Sequence, residues 1–102
     1  MQFEDLSDEG YTIYTKSNCP YCTKVKELLK SVKPEPKFIH CDEYLVEPEI
    51  KEEFLTWIQK MNGGISHRTF PMVFYQGKFI GGFTETEKFY AKENIFLEDL
   101  EF

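Results

Sequence analysis

Tyr11-Thr12-Ile13-Tyr14-Thr15-Lys16-Ser17-Asn18-Cys19-Pro20-Tyr21-Cys22 is the stretch whose reading decides the fold. Its first five residues are β-branched or aromatic, the composition of a strand. Ser17-Asn18-Cys19-Pro20 reads as a helix start, with a proline in the first turn, where its missing N–H costs nothing. Cys22, Val25, Leu28, Leu29 and Val32 then recur at three and four, the spacing of one buried helix face, while Lys24, Lys26 and Lys30 fall largely off it. Pro34 and Pro36 end the helix and open a second strand, Lys37-Phe38-Ile39-His40-Cys41. A strand, a helix and a strand in this order need a right-handed crossover and a parallel pair.

Further along, Ile50, Phe54, Trp57, Ile58 and Met61 mark a longer amphipathic helix that stops at Asn62-Gly63-Gly64, a left-handed cap. Met72-Val73-Phe74-Tyr75 and Lys78-Phe79-Ile80 flank Gln76-Gly77, a hairpin with a two-residue turn. Gly81-Gly82 leads to Thr84 with Glu87 three residues on, a capping box for a last helix. The expected order is β-α-β-α-β-β-α: an α/β class domain whose four-stranded mixed sheet is covered by helices on both faces.

The 102 residues fit one domain, and an apolar share of 41% with 17% aromatic residues supports a real core. The net charge of −6 is unevenly placed. Residues 1–9 carry Glu4, Asp5, Asp8 and Glu9 and no cation, and residues 93–102 carry Glu93, Glu98, Asp99 and Glu101 and no cation, so each end holds −4. The body, 10–92, holds 12 cations against 10 carboxylates, a net +2. The acidic ends are therefore expected to be the frayed parts and 10–92 the core. No basic stripe with stacking aromatics suggests nucleic acid, and no apolar run suggests a membrane span or a secretory signal. Three cysteines do not make a disulfide scaffold, so a reducing compartment, the cytoplasm, is expected.

Cys19-Pro20-Tyr21-Cys22 carries the chemistry. A Cys-x-x-Cys beside a β-α-β pattern reads as a dithiol redox site, because residues three apart at a helix start bring two sulfurs together. Cys19 would stand at the helix N-terminus, where unpaired N–H groups, the dipole and the neighbouring Lys16 favour a thiolate, the attacking species. Cys22, one turn in and on the apolar stripe, would be more buried and would resolve the mixed disulfide. The competing reading is half of a zinc site, but His40, Cys41 and His67 form no second ligand pair at knuckle spacing.

Over most of residues 10–92 the chain resembles the glutaredoxins, the glutathione-dependent branch of the thioredoxin fold. The resemblance rests on Lys16, Cys19-Pro20-Tyr21-Cys22, Thr69-Phe70-Pro71 and Gly81-Gly82-Phe83-Thr84, and the Cys-Pro-Tyr-Cys form looks like the dithiol class. It implies Cys19 and Cys22 as a redox disulfide, a cis Pro71, and glutathione as co-substrate with no tightly bound cofactor and no metal. It further implies that Lys16 meets a glutathione carboxylate and that the Tyr21 ring flanks the tripeptide. The Phe70 backbone would pair with the peptide as an added strand, with Thr69 and Pro71 also in the glutathione site. Gly82, Phe83 and Thr84 would take the γ-glutamyl carboxylate at a helix N-terminus. Disulfide-containing or glutathionylated proteins, a ribonucleotide reductase among them, would be the targets of a monomer.

The sequence also departs from the family pattern. The stretch 62–68 is a few residues longer than usual, Glu85 and Glu87 follow Thr84 where Asp is common, and the end is short and acidic. These departures keep open a thioredoxin-like donor recycled by a flavoenzyme. Two other classes are an iron–sulfur carrier sharing a cluster through Cys19, which Pro20 disfavours in the resembling family, and a binding module whose cysteines are inert. Cys41 is read as a small buried hydrophobe, His40 as partly exposed, and Trp57 as core. Ser17 and Asn18 are read as caps of the first helix. His67 and Arg68 divide between a solvated loop and a place near the ligand's carboxylates, and Phe83 between core and groove.

Overall fold

A computed structural model of the chain describes residues 2–99, with side chains through Lys92. The elements are β1 (Tyr11–Thr15), α1 (Pro20–Leu28), β2 (Lys37–His40), α2 (Asp42–Leu45), α3 (Pro48–Met61), β3 (Met72–Tyr75), β4 (Lys78–Gly81) and α4 (Phe83–Asp99). The sheet runs β2-β1-β3-β4, with β1 parallel to β2 and antiparallel to β3, and β4 antiparallel to β3. This is the expected four-stranded mixed sheet, with the four-residue α2 added. So short a helix is below what a period of 3.6 can reveal.

Alternation along the central strands divides the core in two. Tyr14, Met72 and Phe74 face Phe54, Leu55 and Ile58 of α3, while Tyr11, Ile13 and Val73 face Val25 of α1, Leu29 just past its end, and Phe89 of α4. All five residues of β1 are buried, since helices cover it from both sides. Trp57 packs with Phe3, Tyr14 and Phe54, as core.

Four local expectations are corrected. The first helix ends at Leu28, with Leu29 as its cap, so Val32 lies in a following turn; Lys33 precedes a proline and is kept out of helical geometry. Cys41 sits one residue beyond β2, at the start of α2, and is fully buried. Helix α4 continues to Asp99, past the expected boundary at 92, and residues 100–102 lie outside the described residues. The N-terminal segment is docked: Phe3 sets its ring against Tyr44, Phe54 and Trp57. The Glu4 N–H donates to Tyr44 Oη at 3.0 Å, and Tyr14 Oη donates to the Glu4 carbonyl at 2.9 Å. Burial pushes the Tyr14 phenol up, so it remains a donor.

The start of α4 is also offset from its expected place. The helix begins at Phe83, so its capping carboxylate is Glu85: Glu85 Oε1 accepts from the Gly82 N–H at 2.8 Å, and Thr86 Oγ1 donates to the Gly82 carbonyl at 2.7 Å. Gly81 has φ +135°, and a Cβ there would come within 2.8 Å of the Glu85 side chain, so glycine is required. Glu85→Ala leaves the buried Gly82 N–H unpaired, and urea unfolding is expected to show a loss of about 1 kcal/mol.

Candidate active site

The site is built where β1 delivers the chain into α1. Cys19 is the N-cap, in an extended conformation (φ −128°, ψ 94°), and its Sγ accepts from the Cys22 N–H at 3.1 Å. No carboxylate lies in the first turn of α1 to oppose negative charge at that end. Cys19 and Cys22 form a disulfide with Cα atoms 5.2 Å apart. Cys22 is 2% exposed, while Cys19 is only partly buried, the asymmetry expected of an attacking and a resolving sulfur.

The Phe70–Pro71 peptide is cis, and it brings the Phe70 carbonyl oxygen to 3.6 Å from Cys19 Sγ. Two clefts meet at Tyr21, Thr69 and Phe70. One, of about 550 Å³, runs past Pro71 to Gly81, Gly82, Phe83 and Thr84. The other, of about 530 Å³, runs past Cys19 to Lys16, Lys51 and Arg68. A single groove thus passes from a cationic end, beside the sulfur, to the N-terminus of α4. In that first turn the N–H groups of Phe83 and Thr84 have no acceptor within the helix.

Tyr21 is 54% exposed and stacks on Phe83, with ring centroids 6.0 Å apart, and Lys24 Nζ lies 5.1 Å from the Tyr21 centroid. Phe83 stands in both expected places, lining the first cleft and packing on the α1–α4 core. Lys16 Nζ lies 6.0 Å from the Phe70 ring centroid, and that ring stacks in turn on Phe54. Sequence reasoning missed Lys51, whose signal was its place off the apolar face of α3. Arg68 lines the same cleft but is held by Glu52 at 2.6 Å. His67 is half-buried against Phe79 and lines the α4 side of the groove.

Ser17 does not cap α1. Its N–H and hydroxyl both donate to the Asp42 carboxylate, and Asn18 adopts a left-handed φ of +54°. Cys41 is 0% exposed, and burial pushes its thiol up to about 12, which keeps it protonated and apart from the redox pair. Among the described residues no group of three or more His, Cys, Asp or Glu could hold a metal, and no helix is long and apolar enough to cross a membrane.

Residues 11–80 match the family model for glutaredoxin. A mitochondrial glutaredoxin-2 of Pongo abelii is 34% identical over 92 residues, covering 90% of this chain and 53% of that protein. A glutaredoxin of Ricinus communis is 34% identical over 83 residues, covering 81% of this chain and 74% of that protein. The chain therefore spans about half the length of the mitochondrial relatives it matches. Among solved structures, a buckwheat glutaredoxin–glutathione complex is similar with a TM-score of 0.62 at 26% identity, covering 82% of this chain and 70% of that one. A holo-form glutaredoxin of Populus tremula x tremuloides is similar with a TM-score of 0.62 at 27% identity, covering 88% and 82%.

Proposed function

The chain belongs to the glutaredoxin family, and from that membership we propose that it is a glutathione-dependent thiol–disulfide oxidoreductase acting on protein disulfides and protein–glutathione mixed disulfides. The observation that carries this reading is the groove that starts at the Cys19 sulfur, passes the cis Pro71 and ends at the free N–H groups of α4. An anionic tripeptide can lie along it. Lys16 and Lys51 take one carboxylate, the Phe70 backbone pairs with the peptide and Tyr21 flanks it. The N–H groups of Phe83 and Thr84 receive the other carboxylate.

In the cycle, the Cys19 thiolate attacks the glutathione sulfur of a glutathionylated protein. A Cys19–glutathione disulfide forms and the protein thiolate leaves. A second glutathione thiolate then attacks that disulfide, releasing oxidised glutathione and the Cys19 thiolate. On a protein disulfide, Cys19 first joins the protein and Cys22 displaces it, leaving the Cys19–Cys22 disulfide for glutathione to reduce. The N-terminus of α1 stabilises the thiolate at each return. We take a monomer in a reducing compartment, the cytoplasm, as the working form, with a ribonucleotide reductase among the fitting targets.

The test is steady-state turnover of a glutathionylated peptide with glutathione, glutathione reductase and NADPH. Turnover in that system is expected. Reduction of the Cys19–Cys22 disulfide only by a flavoenzyme thioredoxin reductase would overturn the glutathione reading. In the same assay Lys51→Ala is expected to raise KM about two- to fivefold with kcat little changed, the scale of one exposed charge pair.

A further inference from the structure

The parallel register of β1 and β2 sets a second group of residues beside the nucleophile. Thr15 and His40 are the last partners, and the Cys41 N–H extends the ladder by donating to the Thr15 carbonyl at 2.8 Å. Two residues beyond each partner stand Ser17 and Asp42, facing one another across the ends of the strands. Asp42 Oδ1 accepts from the Ser17 N–H at 2.8 Å, Oδ2 accepts from the Ser17 hydroxyl, and His40 Nε2 lies 3.1 Å from Oδ2.

Between the sheet and Cys19 there are three residues, Lys16, Ser17 and Asn18, and all are exposed, so packing does not fix the path of this segment. Asn18 must nevertheless turn with φ +54° to deliver Cys19 in its extended N-cap conformation. A fixed point one residue before that turn is what sets where the sulfur arrives. The two bonds from Ser17 also hold the Asp42 carboxyl below its usual range, with His40 adding to the effect, so it stays ionised and accepts both.

We propose that Asp42 is a positioning residue for Cys19, anchoring Ser17 so that the Cys19 sulfur lies over the N-terminus of α1. The proposal rests on the dithiol reading of the site but not on glutathione as electron donor. Its readout is therefore the reactivity of the thiol itself. In a Cys22→Ser background, reduced protein is alkylated with iodoacetamide across pH, giving the rate at neutral pH and the apparent pKa of Cys19, with circular dichroism and urea unfolding alongside.

D42A is expected to slow alkylation at neutral pH about two- to fivefold and to raise the apparent pKa, the scale of a charge losing its place at a helix N-terminus. D42N keeps a carbonyl oxygen for the Ser17 N–H and is expected to restore most of the rate. Two results overturn the proposal. One is reactivity unchanged in D42A while stability falls, which makes the contact purely structural. The other is a faster rate in both variants, which makes the Asp42 charge, rather than its hydrogen bonds, what the sulfur senses. Failure of the glutathione reading would leave these rates unaffected.

Discussion

Cys19→Ser protein is expected to lose turnover of a glutathionylated peptide by about three orders of magnitude or more, the scale on which enzymes fail when the nucleophile itself is removed. A serine hydroxyl does not ionise at neutral pH under the influence of one helix terminus and forms no disulfide, so neither step of the cycle remains. Cys22→Ser should behave differently. Cys22 is almost wholly buried and is called on only to resolve a disulfide with a protein, so this variant should keep a substantial part of its activity on the glutathionylated peptide. It should lose activity on protein disulfides that require resolution. Both variants are measured in one assay with glutathione reductase and NADPH. Activity of Cys19→Ser above a tenth of the parent, on the order of magnitude that one lost contact would explain, sinks the assignment.

The second large effect concerns stability. Phe54 is 0% exposed and its ring meets those of Phe3, Tyr14, Tyr44, Trp57 and Phe70, with centroids 5.2 to 6.3 Å apart. Phe54→Ala removes the centre of this aromatic cluster and is expected to cost about 3–5 kcal/mol in urea unfolding. Domains of this size are stable by roughly 5–15 kcal/mol, so the variant would be near the edge of folding at physiological temperature. Because Phe70 stacks on Phe54 and carries the carbonyl beside Cys19, folded variant protein should also turn over more slowly. A loss below about 1.5 kcal/mol, the range of volume-conserving swaps, would mean that the cluster repacks.

The parts of this molecule that local pattern controls could be read from the sequence. The strand before the cysteines, the apolar face of α3 ending at Asn62-Gly63-Gly64, and the Gln76-Gly77 turn each follow from residues adjacent in the chain. The cis Pro71 and the groove end at Gly82 and Phe83 came through family resemblance, since no local rule singles them out. What escaped was decided by distant partners. Ser17 has the residue type of a helix cap, but the parallel register offers its donors a carboxylate 25 positions away. Lys51 is an unremarkable helix-surface lysine until α3 is packed beside β1. Thr84 and Glu87 fit the capping-box pattern in sequence, and only the folded chain shows that α4 starts at Phe83 with the Glu85 carboxylate on the Gly82 N–H.

The docked N-terminal segment sets an order of assembly during synthesis. Phe3 and Glu4 are made before their partners Tyr44, Phe54 and Trp57, which lie up to 54 positions later in the chain. At translation speeds of about 5–20 residues per second, this segment waits several seconds for something to bind. The docking site of Phe3 is built by Tyr44, Phe54 and Trp57, so a chain whose α3 has failed to pack would leave this segment untethered and open to proteases.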